Sequence, residues 1–501
     1  MVFCYLRCVF SDLQRETQAP LQVESTNMVS IPDLLAVPSA DDSASAILRK
    51  QEQAENDKAA GDDLQQQFVV LHSQDVSVLP DDVVLILFEF MKPADILSAS
   101  QTCYFWRKLG ERDELWRLKC KEAGLASILT PVNRRALERK NENSSIKYSA
   151  WKESFLKPYK NAKKFREGVA QNTIILISHH VRQMEIFNEK IVTSEFGGNL
   201  YIFCAVSGEL LHTLVGHTDY VIEFQMDDQI IVSGSWDMSV KVWDVDTGSC
   251  VHTLLGHMAP VYCLKMQGNI AVSGSCDHTL RVWDVKKGRC LRTLSGHTRT
   301  VHHVQFDGNV VVSGRRDYGT IKIWDLETGE CRRTMRPSSD INSLKFNGVD
   351  VVTGCIDGSI EVWDGTNGVC SHTLVGNDTQ VDAIRELQGD TLVCRGGDRT
   401  NVKIWNVSTG AHFQTLAGAQ KHSGDITGIQ LIGKLVVTSS MDGTVKLWDL
   451  TTGEFIKDLL VLESGESVEK MKIEDAKIVC AVESNEGPKL RVLNFDNNDE
   501  N

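Results

Sequence analysis

Four residue types able to do chemistry return together in this chain. They are His217, Ser233, Asp237 and Trp243, then His257, Ser273, Asp277 and Trp283, then His297, Ser313, Asp317 and Trp324. An imidazole near a carboxylate can ligate a metal ion or act as a general base. A single reactive site, however, is not copied once per repeat. A hydrogen-bond network that pairs buried polar groups must be rebuilt in every repeating unit. The histidines are therefore expected to be structural, and no catalytic residue, metal site or cofactor is predicted.

The elements that position these groups follow from the repeat. Trp243, Trp283, Trp324, Trp363, Trp405 and Trp448 each close a strand of alternating apolar type, and they follow one another at intervals of 39 to 43 residues. That is the length of one four-stranded propeller blade. Phe203 in LYIFCAVSG and Leu493 in KLRVLNFD hold the same phase, so the fold class is mainly β, an eight-bladed β-propeller over residues 171–496. The pattern decays where PSSD precedes Ile341, where Asn377 follows Gly376, and where Gly197 stands in the phase of Asp237. Blades one and eight are expected to be the least regular. Pairing of Thr173–Ile177 with Lys489–Phe495 would close the ring and leave no free sheet edge.

The rest of the chain has a different character. With 501 residues and 42% hydrophobic content, more than one module is expected. Residues 11–75 are polar and poor in aromatics, and disorder is predicted for residues 1–75. Residues 76–122 read as short helices, 123–170 as a helical connector, and 497–501 as an acidic tail. A net charge of −14 opposes binding to nucleic acid or an anionic membrane. No cysteine pair has C-x-x-C spacing, and Cys250, Cys290, Cys331 and Cys370 recur at one phase of the repeat. Reduced, structural thiols in an intracellular protein of cytoplasm or nucleus are expected. The opening MVFCYLRCVF lacks a basic region before its apolar run and is interrupted by Arg7, so it is not read as a signal peptide. No stretch approaches the roughly 18 to 20 apolar residues of a membrane span, and a soluble protein is predicted.

The helical segment resembles an F-box in Leu79-Pro80, Pro93-x-Asp95-Ile96, Cys103-x-x-Trp106-Arg107 and Leu115-Trp116. With the repeats behind it, the chain resembles the F-box/WD-repeat substrate receptors, and the archipelago-type phosphodegron receptors in particular. The connector SAWKESFLKPYK, the run TSSMDGTVKLWDLTTGEFIKDLLVLESG, and KIVCAV followed by KLRVLNFD extend the similarity over residues 78–496. The resemblance implies a non-catalytic substrate-recognition subunit of an SCF-type ubiquitin ligase. Such a subunit binds a Skp-family adaptor, through it a cullin-RING core, and delivers a phosphorylated or other peptide-bearing target for ubiquitination and proteasomal degradation. Leu79, Pro80, Val83, Ile86, Leu87, Leu97 and Trp106 are the implied adaptor contacts, because so small a helical piece cannot bury them all internally. A homodimer is left open.

Target contacts on such a propeller come from one rim of the channel. They are mainly the residue after the apolar position that opens each inner strand, here including Arg182, Tyr262, His302 and Lys470, and the residue before the Asp of the next turn, here including Trp236 and Arg316. The resemblance places phosphate-gripping arginines where this chain has Tyr262, Cys276 and His302. Three charge-assisted hydrogen bonds at about 1.5 to 3 kcal/mol each would amount to roughly 4 to 9 kcal/mol if additive. Arg182, Arg315, Arg316 and Lys470 therefore suggest a relocated anion site with Arg316 facing the channel. A peptide site built on Trp236 and Tyr262, binding without phosphate, is one alternative, and a non-ligase scaffold is another.

Overall fold

The structure, a computed structural model, describes residues 85, 88, 91–101, 104–122, 149–315, 319–374 and 381–496. The segment at 1–75, the first part of the connector and the acidic tail lie outside the described residues. The chain divides into two compact units, Met1–Gly110 and Glu111–Asn501.

In the first unit, α1 (Pro93–Ala99) begins on a proline, which suits a position whose N–H has no helical partner. Asp95 in its first turn complements the helix dipole. At its end the Ser100 hydroxyl donates to the Ile96 carbonyl over 2.7 Å. α2 (Tyr104–Leu109) carries Arg107 and Lys108 in its last turn. Phe88, Ile96 and Leu109 are buried.

The second unit begins with α3 (Asp113–Glu122) and α4 (Ala150–Glu167). Ser149 joins their starts. Its hydroxyl accepts the Lys152 N–H at 3.1 Å as a helix cap and donates to Asp113 at 2.6 Å. Trp116 is fully buried against Phe155, ring centroids 5.4 Å apart. The far end of α4 sinks Phe165 into the core beside Phe495, while Lys164 pairs with Asp496 and Arg166 with Asp449. The described end of the connector is thus part of the propeller's base.

The propeller is eight four-stranded antiparallel sheets, β1 to β32. β1 (Gln171–Leu176) is the outer strand of the last blade, behind β32 (Lys489–Asn494), β31 (Lys477–Glu483) and β30 (Ser467–Glu474), with Gln171 opposite Asn494 and Leu176 opposite Lys489. The predicted ring closure is present, displaced slightly along the chain. Apolar clusters fill the space between neighbouring blades, as where Trp243 of blade two packs with Val192 and Ile202 of blade one.

Most inner strands open with a β-bulge, which turns one side chain to the rim. Those residues are Ile222, Tyr262, Asn342, Thr427 and Glu469, each the extra residue of its strand at the register shift. This corrects the placement of Lys470. Glu469 occupies the bulge in blade eight, and Lys470 lies one residue deeper, opposite Ala481.

Candidate functional site

The repeated polar groups form the expected network. In blade two His217 Nε2 lies 2.7 Å from Ser233 Oγ, Trp243 Nε1 donates to the same oxygen at 2.8 Å, and His217 Nδ1 lies 2.6 Å from Asp237. Blade three repeats it through His257, Ser273, Asp277 and Trp283 at 2.7 to 2.8 Å. Blade four keeps His297, Ser313 and Trp324, while Asp317 lies outside the described residues. Burial opposes ionisation of Asp277, but hydrogen bonds from Thr279, His257 and the Met258 N–H hold its carboxyl down to about 2. Both nitrogens of His217 and of His257 are engaged and their rings are buried, so they hold blades together and are not presented to a substrate.

Sequence reasoning missed one further copy and one remnant. Blade seven builds the network from His422, Thr438, Asp442 and Trp448; threonine replaces serine, and its hydroxyl serves equally well. In blade one His179 lies 3.0 Å from Thr193 and stacks on Tyr201. That histidine belongs to the loop after β1, a placement visible only once the ring has closed.

The rim of blades one to four carries a run of neighbouring rings. Phe196 and Tyr220 have centroids 6.3 Å apart, Tyr220 and Trp236 5.9 Å, Trp236 and Tyr262 6.4 Å, and Tyr262 and His302 5.1 Å. Phe196 is 56% exposed, Tyr220 40% and Trp236 37%. The turn that presents Trp236 is fixed by its N–H donating to the Tyr220 carbonyl at 2.9 Å and by the left-handed backbone of Met238, φ 69°. At the blade-one end the Arg182 guanidinium sits 5.5 Å from the Phe196 ring centre, within cation–π range. The structure thus brings Arg182, Trp236, Tyr262 and His302 onto one surface. Tyr220, which directly precedes the strand-opening Val221, is an unpredicted member.

The predicted basic cluster is only partly assembled. Arg315 is 7% exposed and turned into blade four, where it donates to Thr298 at 3.0 Å. It occupies the place where blades two and three have Ser235 and Ser275, whose hydroxyls donate to the Asp219 and Ala259 carbonyls and accept the Asp237 and Asp277 N–H groups, and so it is not a rim cation. Arg316 lies outside the described residues. Lys470 keeps solvent access on β30, and partial burial first, then Arg385 and Arg182, hold its ammonium below the ordinary lysine value, with Glu469 opposing.

Arg385 was not anticipated. β22 (Val381–Gln388) has a second register shift, between Ile384 and Glu386, and Arg385 is the residue it leaves over. The signal was present: Val261 to Trp283 in blade three spans 22 residues, whereas Val381 to Trp405 in blade six spans 24. Deeper in the channel, charged residues are paired between blades, Glu185 with Lys472 at 2.8 Å and Glu223 with Lys265 at 3.2 Å.

Of the adaptor contacts, Leu79, Pro80, Val83, Ile86 and Leu87 lie outside the described residues. Leu97 is half-buried on α1, and Trp106 stands on α2. Among the described residues no group of three or more His, Cys, Asp or Glu side chains is placed to hold a metal.

Comparison with known proteins adds the following. Residues 76–122 match the F-box-like family, and residues 208–244, 248–284, 288–325, 329–364 and 413–449 match the WD domain, G-beta repeat. F-box/WD repeat-containing protein sel-10 of Caenorhabditis elegans is 35% identical over 155 residues, 29% of this chain and 26% of the relative. F-box/WD repeat-containing protein 7 of Drosophila melanogaster is 40% identical over 146 residues, 28% of this chain and 11% of the relative. The matches therefore span about a quarter or less of those relatives' lengths. The crystal structure of the computationally designed Ika8 protein superposes with a TM-score of 0.55 at 31% identity, covering 65% of this chain and 97% of that one.

Proposed function

We propose that this F-box/WD-repeat protein is the substrate-recognition subunit of an SCF-type ubiquitin ligase, with a division of labour between its two ends. The F-box-like segment binds a Skp-family adaptor and through it a cullin-RING core. The propeller holds a peptide segment of the target at the rim formed by blades one to four. This chain performs no bond-making step. Its contribution to ubiquitin transfer is proximity, because a target held beside a charged conjugating enzyme reacts as if intramolecularly.

The observation that carries this reading is the joining, in one chain, of an F-box-like segment to a closed propeller with exposed rim aromatics. Aromatic side chains supply large contact area at low conformational cost, as expected of a peptide-holding surface. Target capture is proposed to favour phosphorylated segments, with degradation as the outcome, in cytoplasm or nucleus.

The test is co-precipitation from cells. Replacing Leu79 and Pro80 with alanine should abolish recovery of adaptor and cullin while the propeller stays folded. Undiminished recovery from a folded double variant would remove the adaptor role, and absence of a cullin from the wild-type precipitate would favour a scaffold outside the ligase.

A further inference from the structure

The outer wall of the propeller is fastened by a repeated clasp. At one register position most outer strands carry a side chain that reaches a backbone carbonyl at the base of the next blade. His212 of blade one lies 2.8 Å from the Asp246 carbonyl oxygen, His252 of blade two 3.3 Å from that of Lys286, and His372 of blade five 3.1 Å from that of Ser408. In blade six Gln414 donates to the Thr452 carbonyl, and in blade seven Lys457 donates to that of Gly168 at 2.9 Å. Blades three and four break the series. Arg292 and Arg333 hold the same register position, opposite Val282 and Ile323. Arg333 donates instead to the Arg332 carbonyl of its own strand at 2.8 Å. Arg292 crosses Gly329 of blade four, and among the described residues no bond joins it to that turn. Where this clasp is missing, a cleft of about 600 Å³ opens between blades three and four. Val282, Leu291 and Leu326 line it with Arg292, Asn309 and Glu327, and Arg332 beside them pairs with Asp325. The outer strands here, Arg289–Ser295 and Cys331–Met335, carry Arg289, Arg292, Arg332 and Arg333, all exposed. Those of blades one, two, five and six carry no Lys, Arg, Asp or Glu. In a chain of net charge −14, this wall is a local reversal of sign.

We propose that the unclasped wall of blades three and four is a second docking surface, for an acidic peptide segment of a partner protein. One apolar side chain of the segment enters the cleft, and flanking carboxylates pair with Arg289, Arg292 and Arg333. Guanidinium groups present forked donors that match carboxylate oxygens, and Arg292 lacks the intramolecular acceptor that its counterparts use. The excess of cations makes an acidic partner the complementary one, while Val282, Leu291 and Leu326 reward burial of an apolar side chain. Asp325 and Glu327 at the same cleft oppose the continuous negative charge of a nucleic acid or an anionic membrane; separated carboxylates can lie clear of them. The turns bordering the cleft, at Gly308 and Asp325, correspond to those at Gly433 and Asp449, against which α4 packs. The aromatic rim is at the other end of the strands, so an occupant of the cleft leaves the rim open. The surface adds a partner to the proposed function and does not depend on it.

The probes are synthetic peptide pools passed over the immobilised full-length chain. One has a fixed central leucine flanked by aspartate or glutamate, one has asparagine or glutamine in place of the acids, and one keeps the acids around a central serine. The acidic leucine pool should be retained at least about ten-fold better than the neutral pool, and better than the serine pool. Its advantage over the neutral pool should shrink as salt is added. Arg292→Ala/Arg333→Ala removes the charge and should bring the acidic pools down to the level of the neutral one. Arg292→His installs the residue that makes the clasp in blades one, two and five. It should erase the preference for leucine over serine, with a melting temperature no lower than that of the wild type. Trp236→Ala, at the rim, should retain all pools as the wild type does. Equal retention of acidic and neutral pools, or an arginine variant that binds as the wild type does, would overturn the proposal. So would loss of retention in Trp236→Ala, which places the peptide at the rim, or tighter retention of a single-stranded oligothymidylate, which assigns the wall to nucleic acid.

Discussion

At His297 an imidazole is buried beside cations with no partner for Nδ1 among the described residues. Burial, and then the charges of Lys322 and Arg315, push its pKa down to about 4 from the ordinary 6.5. The unfolded chain therefore takes up a proton that the folded chain refuses, and stability present above pH 6.5 is lost as the pH falls toward 4. At about 1.36 kcal/mol per pH unit this amounts to roughly 3 kcal/mol. His257 and His179, lowered by burial first, act in the same direction. Urea midpoints measured at pH 7.5, 5.5 and 4.5 should decline, and His297→Gln should reduce the decline; an unchanged slope would contradict the buried, neutral state of His297. The histidines of blades two to four were legible because spacing alone fixes their phase. Arg315 was not, because nothing in SGRRD distinguishes a rim arginine from one folded back onto Thr298, and that choice is made by packing in blade four.

Each blade is an element whose regularity can be weighed. In blade three Ser273 Oγ serves both His257 and Trp283, whereas in blade five Trp363 Nε1 reaches Thr353 over 3.3 Å and no histidine takes part. Ser273→Ala leaves two buried groups without their shared partner and should destabilise the chain by about 1 to 3 kcal/mol, while Thr353→Val should do less. Denaturant unfolding of both variants decides this, and equal losses would mean that the network contributes nothing beyond side-chain packing. The tryptophan period made the number of blades readable. The inner-strand bulges were not readable at residue resolution, since a bulge adds a residue without changing the apolar pattern around it. Arg385 and the one-residue misplacement of Lys470 both follow from that.

For the whole molecule, closure depends on six residues of β1 lying behind β32. Deleting residues 171–176 should expose the edge of β32 and accelerate hydrogen exchange over residues 480–496; unchanged exchange would show that the last blade does not need the first strand. The sequence predicted this pairing because KLRVLNFD needs an outer neighbour to complete a four-stranded sheet, but the fastening of α4 through Phe165 and Phe495 could not be read from a helix with so thin an apolar stripe. On the proposed division of labour, one end of this chain holds the target while the other recruits the machinery. Ubiquitin conjugation of a propeller-captured target in a reconstituted ligase reaction tests it most directly. Wild-type chain should give conjugated target, and the Leu79→Ala/Pro80→Ala chain should bind the same target without conjugating it. Equal conjugation with both chains, or none with either while adaptor and target are bound, would contradict the claim.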